Sequence, residues 1–69
     1  MRQAKTFKDL PLGTPVEIRG CTIYKGLVCE HQTLHNQYPF IRILFADGDT
    51  CVYYEEEIPE ERIFIVEVK

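Results

Sequence analysis

The chain has no tryptophan and one methionine, and its aromatic content is four tyrosines and four phenylalanines. A stacking surface must therefore be built from single rings. Long apolar runs are also missing. No stretch approaches the roughly 20 residues of a membrane-spanning helix. The opening MRQAKTFKDL has basic residues but lacks the apolar region of a secretory signal. Cysteine is sparse and odd in number, at three. The thiols cannot all pair within the chain, which points to reduced cysteines and an intracellular setting, cytoplasm or nucleus. Cys21, Cys29 and Cys51 stand in apolar or β-like stretches, where a free thiol is expected to pack as a small hydrophobe.

Positive charge is the remaining scarcity. Eight Lys and Arg face eleven Asp and Glu, for a net charge of -3. Phosphate neutralisation supplies much of the affinity of nucleic-acid binders, so this balance disfavours that class. The residues available to it are Arg2, Lys5 and Lys8 of a basic lead-in (residues 1–10), with Arg19, Lys25 and Arg42 beyond. Nucleic-acid binding through them is one alternative reading.

What is present is a single domain spanning residues 1–69, whose core is marginal because so short a chain buries only about 60% of its unfolded surface. Gly and Pro punctuate it often, and β-branched or aromatic stretches lie between. The expected strands are 16–19, 22–30, 39–46, 49–55 and 62–68. Five strands in so short a chain imply an all-β barrel or sandwich. IPEER offers a 3₁₀ or α turn opened by Pro59, and TFKDL a turn with Thr6 as its cap. The polar stretch HQTLHNQY, residues 31–38, reads as a loop longer than a hairpin needs.

Asp47-Gly48 is the strongest local signal. A two-residue type I′ loop there sets Phe45 opposite Thr50, Leu44 opposite Cys51 and Ile41 opposite Tyr54. On that register Ile41, Ile43, Phe45, Thr50, Val52 and Tyr54 form the core face. Tyr53 then points away from Phe45, beside Arg42, where a cation–π pair is expected.

LGTPVEI, IYKGLV and ILFADGDTCVYYEEEIP together resemble the Tudor-like branch of the SH3-like barrels. The matching residues are Gly13 and Val16, then Tyr24, Gly26 and Val28, then Ile43, Phe45, Asp47, Val52 and Ile58. The resemblance implies a single five-stranded SH3-like barrel with a short 3₁₀ turn. It also implies a non-enzymatic protein-binding role, the reading of methylated lysine or arginine in an aromatic cage. Tyr24 and Phe45 match two cage positions, and Asp47 or Asp49 would supply the carboxylate. At two further cage positions this chain has Ile18 or Arg19, and Cys51, so Tyr53, Tyr54 or Tyr38 would have to substitute. A second resemblance, carried by Phe7, Asp9, Leu10, Pro11 and Gly13 in TFKDLPLGTPVEIRGCTIYK, is to small phage and bacterial β proteins with an F-x-D-L-P-x-G lead. It implies an accessory or inhibitory protein that binds a larger host or phage complex.

Other chemistry is weaker. Cys29-x-His31-x₃-His35 has a zinc-like His spacing but no cysteine knuckle, so no metal is expected. Cys51 near a histidine of the 31–38 loop matches no catalytic motif, and no enzyme or cofactor is expected. The acids Glu55, Glu56, Glu57, Glu60 and Glu61 read as a solvated rim, or as attraction for a basic peptide beside Tyr53 and Tyr54. The apolar RIFIVEV is an edge for strand addition or a homodimer seam. The expected site is therefore a surface of Tyr24, Phe45, Asp47, Asp49 and Tyr53 that takes a basic peptide, methylated or not.

Overall fold

The computed structural model describes residues 2–33 and 37–67. Its strands are β1 (Arg2–Gln3), β2 (Pro15–Arg19), β3 (Ile23–Gln32), β4 (Phe40–Phe45), β5 (Thr50–Tyr54) and β6 (Ile63–Ile65). 3₁₀ turns lie at Phe7–Asp9 and Glu55–Glu57. The domain is all-β, but the described residues form six strands rather than five, because the basic lead-in folds. Arg2 and Gln3 pair with Ile65 and Phe64. The sheet is open rather than a closed barrel. Its order is β1-β6-β2-β3-β4-β5, and among the described residues β5 is hydrogen-bonded only to β4. β6 lies between β1 and β2, so both edges of Ile63–Ile65 are occupied and the seam expected along RIFIVEV is not available there. Val66 and Glu67 are not in the strand, and Val68 lies outside the described residues. β3 runs on through His31 and Gln32, which shortens the expected polar loop; residues 34–36 also lie outside the described structure.

One core joins the sheet. Val16, Val28, Ile41, Ile43, Tyr53, Ile63 and Ile65 come from five strands and belong to a single buried cluster. A sheet with one apolar face and no helix to cover it can bury that face only by curling on itself. Ala4, Phe7, Leu10 and Ile58 complete the cluster from the connections. The 3₁₀ turn ahead of Pro59 is closed by Glu57, whose carboxylate accepts the Tyr54 N–H at 3.1 Å. At Phe7–Asp9 the N-cap is Thr6, as expected, and Asp9 closes the turn. Its carboxylate accepts the N–H groups of Lys5 at 2.9 Å and Thr6 at 3.3 Å.

The β4–β5 register differs from the expected one by a residue. The Gly48 N–H donates to the Phe45 carbonyl at 2.9 Å, and the Phe45 N–H donates to the Asp49 carbonyl at 2.8 Å. The loop is therefore Ala46-Asp47-Gly48, a type I turn closed by a glycine in the left-handed region. A two-residue type I′ loop requires positive φ at both centres. Here Gly48 has φ 95°, while Asp47 keeps an ordinary φ. Asp47 Oδ1 instead accepts the Asp49 N–H at 3.0 Å, a side-chain turn that favours this shape. Ile41 then faces Tyr53, Ile43 faces Cys51 and Leu44 faces Thr50. Every β5 side chain changes face: Tyr53 is 7% exposed and Tyr54 43%. Arg42 faces Val52 instead of Tyr53, pairs with Glu30 at 2.8 Å and lies over the Phe40 ring at 5.9 Å.

The three cysteines are exposed rather than packed. Cys29 sits at the bulge between Val28 and Glu30, Cys21 in the β2–β3 turn and Cys51 on the edge strand.

β3 and β4 approach closely at Gly26. A Cβ there would lie 2.6 Å from the Leu44 carbonyl oxygen and 2.9 Å from Ile43 Cγ2. Gly26→Ala is expected to lower stability by about 1–3 kcal/mol, since backbone must move to admit the methyl group. Gly20, in open space, serves as the control. Urea denaturation of both variants checks this, and equal midpoints would refute the close approach.

Asp9 is held below its ordinary value of 3.8, first by the Lys5 and Thr6 N–H bonds and then by Arg2, whose guanidinium lies 3.2 Å away. Glu30 is held below 4.5, first by its bond from Arg42. The folded state thus retains both carboxylates better than the unfolded state. Their contribution is complete above the ordinary values and is lost as pH falls through the lowered ones. Urea midpoints should decline from about pH 6 to about pH 3, less steeply in Asp9→Asn. An unchanged acid slope in that variant would remove Asp9 from the account.

A candidate site: an aromatic and acidic pocket

The core ends where the β2–β3 and β4–β5 turns meet. Tyr24 faces Ile18 across β2–β3, and Phe45 faces Gly26 across β3–β4. Gly26 has no side chain, so Tyr24 and Phe45 meet edge to face, with centroids 6.0 Å apart and planes at 65°. This geometry suits the ring quadrupoles. Tyr24 is 54% exposed, whereas Ile18 and Phe45 pack partly against the core. The turn brings Asp47 and Asp49 to the same place. Asp49 has no side-chain hydrogen-bond partner among the described residues, and Asp47 bonds only to the Asp49 N–H.

These residues enclose a pocket of about 310 Å³. Its walls are Ile18, Tyr24, Phe45 and Tyr53, and Asp47, Asp49 and Thr50 complete it. All five residues expected at the site therefore line one depression. Tyr53 does so only because of the corrected register. Thr50 was not expected there, and Ile18, which stands at a position where the resemblance calls for an aromatic, lines it as the cross-strand neighbour of Tyr24. Tyr38 and Tyr54 lie elsewhere, with Gln37, Pro39, Glu55 and Glu56 around a separate depression of about 220 Å³. A larger groove of about 420 Å³ runs over Leu27 and Leu44, but Lys25 lines it and no acid does. The electrostatics favour the smaller aromatic pocket for a cation, because no basic side chain lines it. Its volume is at the low end for ligand sites, about 300–1,000 Å³, and suits one side chain.

Burial is the main force holding the Tyr53 phenol neutral well above the ordinary tyrosine range. Cys51 and the carboxylates of Glu61 and Glu57 add to this.

The other candidates are dispersed. Arg2 is paired with Asp9, Arg19 with Glu17 and Arg42 with Glu30, at 2.8–3.3 Å. Half of the six expected phosphate contacts thus face a carboxylate. His31 has Nε2 3.3 Å from the Phe7 carbonyl and Nδ1 3.0 Å from Thr33 Oγ1, with its ring edge on Phe7. His35 lies outside the described residues. Among the described residues, no three of His, Cys, Asp and Glu cluster in a metal-binding arrangement, and no helix is long and apolar enough to cross a membrane.

No family model, curated protein or solved structure matches this chain.

The Tyr53 environment sets a limit at alkaline pH. The folded state keeps the phenolic proton, while the unfolded state releases it above about pH 10, so stability falls as pH rises past that value. Tyr53→Phe is expected to resist alkaline unfolding better than the parent. Circular dichroism against pH measures this, and coincident curves would contradict the assignment.

Proposed function

We propose that this domain is a non-catalytic interaction module that holds a cationic side chain of a partner peptide in the pocket of Tyr24, Phe45, Tyr53, Asp47 and Asp49. The side chain is a lysine or arginine, bare or methylated. One observation supports this reading: three rings and two carboxylates converge on a depression of about 310 Å³ with no basic residue in its lining. A weakly hydrated cation gains from the negative faces of the rings, and the carboxylates add attraction that the partly desolvated pocket strengthens. Thr50 and Ile18 close the remaining sides without competing charge. The proposed kinship with Tudor-like domains fits the same residues, since Tyr24 and Phe45 stand at the matching cage positions. A catalytic role has less support, because neither ring nitrogen of His31 faces a thiol.

The test is titration of the folded domain with a short peptide carrying trimethyllysine, and with its neutral isostere in which carbon replaces the quaternary nitrogen. The charged peptide should bind more tightly, by roughly three- to thirtyfold, the range of a partly desolvated cation–π contact. Tyr24→Ala, at an exposed position, should remove the preference and leave the thermal midpoint nearly unchanged. Equal affinity for the two peptides would defeat the reading.

A further inference from the structure

The two ends of the sheet differ. β1, at one end, has two residues, and both side chains are tied down: Arg2 to Asp9, and Gln3 to the Pro59 carbonyl at 3.1 Å. β5, at the other end, runs over Thr50–Tyr54 and pairs only through β4. The bonded pair Phe45–Asp49 sets the alternation of an antiparallel ladder. Asp49, Cys51 and Tyr53 turn their backbone groups toward β4, and Thr50, Val52 and Tyr54 turn theirs outward. The Tyr54 N–H is taken by the Glu57 carboxylate. The ladder therefore leaves the N–H and C=O groups of Thr50 and Val52 without a strand partner, and the Val52 carbonyl has only the Cys51 thiol, 4.0 Å away. This edge has no proline, lysine or bulge.

We infer that the β5 edge is a docking strand for an extended basic segment of a partner protein, which adds antiparallel or parallel to Thr50 and Val52 and delivers its cationic side chain to the adjoining pocket. The inference rests on the pocket reading for the class of partner and adds the path of the partner's backbone. Charge selects this occupant. Asp47 and Asp49 precede the free edge, and Glu55, Glu56 and Glu57 follow it. A second copy fits poorly. An antiparallel β5–β5 pair centred on Val52 would set Asp49 of each chain opposite Glu55 of the other, and like charges directly opposite are destabilising. A basic strand turns the same positions into attraction while saturating the free backbone groups.

The probe is a short alternating lysine–valine peptide, compared with the same peptide N-methylated at alternate residues. Methylation keeps the charge and removes the donors of one strand edge. The unmodified peptide should slow amide exchange at Thr50 and Val52, and N-methylation should weaken binding by about tenfold, the loss of one or two net hydrogen bonds. Val52→Pro should abolish binding with the fold kept, because the Val52 N–H makes no bond to β4 and edge prolines are tolerated. The peptide comparison does not depend on that variant folding. Equal affinity for the two peptides, protection elsewhere in the chain, or no binding would overturn the inference. So would protection of Thr50 and Val52 that grows with protein concentration alone. Loss of binding on N-methylation without any effect of Tyr24→Ala would support the edge and count against the pocket.

Discussion

The ordinary φ that Asp47 keeps, with Gly48 alone left-handed, decides which side of β5 faces the core, and much of the molecule follows from it. With one positive φ instead of two, the loop needs three residues, and the register moves by one. A shift of one residue reverses every side chain on a strand. Tyr53 is thereby drawn inward against Ile41, Tyr54 is turned out, and Arg42 is released to pair with Glu30. The Asp47 side chain stabilises the same turn and remains at the pocket rim.

A chain of this size has little apolar surface with which to close a core, and the sheet economises by curling around it. Closure stops short at β5, and the pocket lies where the core runs out of side chains large enough to fill it. Gly26 contributes in two ways. It lets β3 and β4 approach within what would be contact distance of a Cβ, and it leaves Phe45 free to meet Tyr24 across the gap. The site is thus the exposed end of the core, which accounts for walls that are mainly aromatic and a polar component confined to the turn.

Incomplete closure and acidic charge occur on the same strand. An unpaired edge without proline or lysine usually invites self-association. Here Asp49 and Glu55 flank the edge, so self-pairing is opposed by repulsion. The acids that look like a solvated rim in the sequence thereby acquire a structural role beside the open edge, whatever binds there.

Much was legible in the sequence. The spacing of Gly and Pro and the short β-branched runs determined the all-β class, and the alternation in FIRILF put Ile41 and Ile43 on the buried face. Phe45, Asp47 and Asp49 stood out beside an Asp-Gly turn, and Tyr24 through the resemblance to Tudor-like barrels. Asp-Gly alone could not determine register, because the dipeptide suits both two- and three-residue loops, and the choice depends on a φ angle at Asp47 that no residue pattern encodes. The sixth strand was hidden because two residues carry no periodicity; β1 exists only through its pairing with β6. The exposure of the cysteines was likewise hidden, since it depends on a bulge and on an edge. The sequence by itself determined the all-β class and the approximate place of five of the strands. Only the tertiary structure decided that Tyr53 joins Tyr24 and Phe45, that β6 is interior and that β5 is left open, because these are outcomes of long-range pairing, in which strands distant in the chain compete for the same hydrogen-bonding edges.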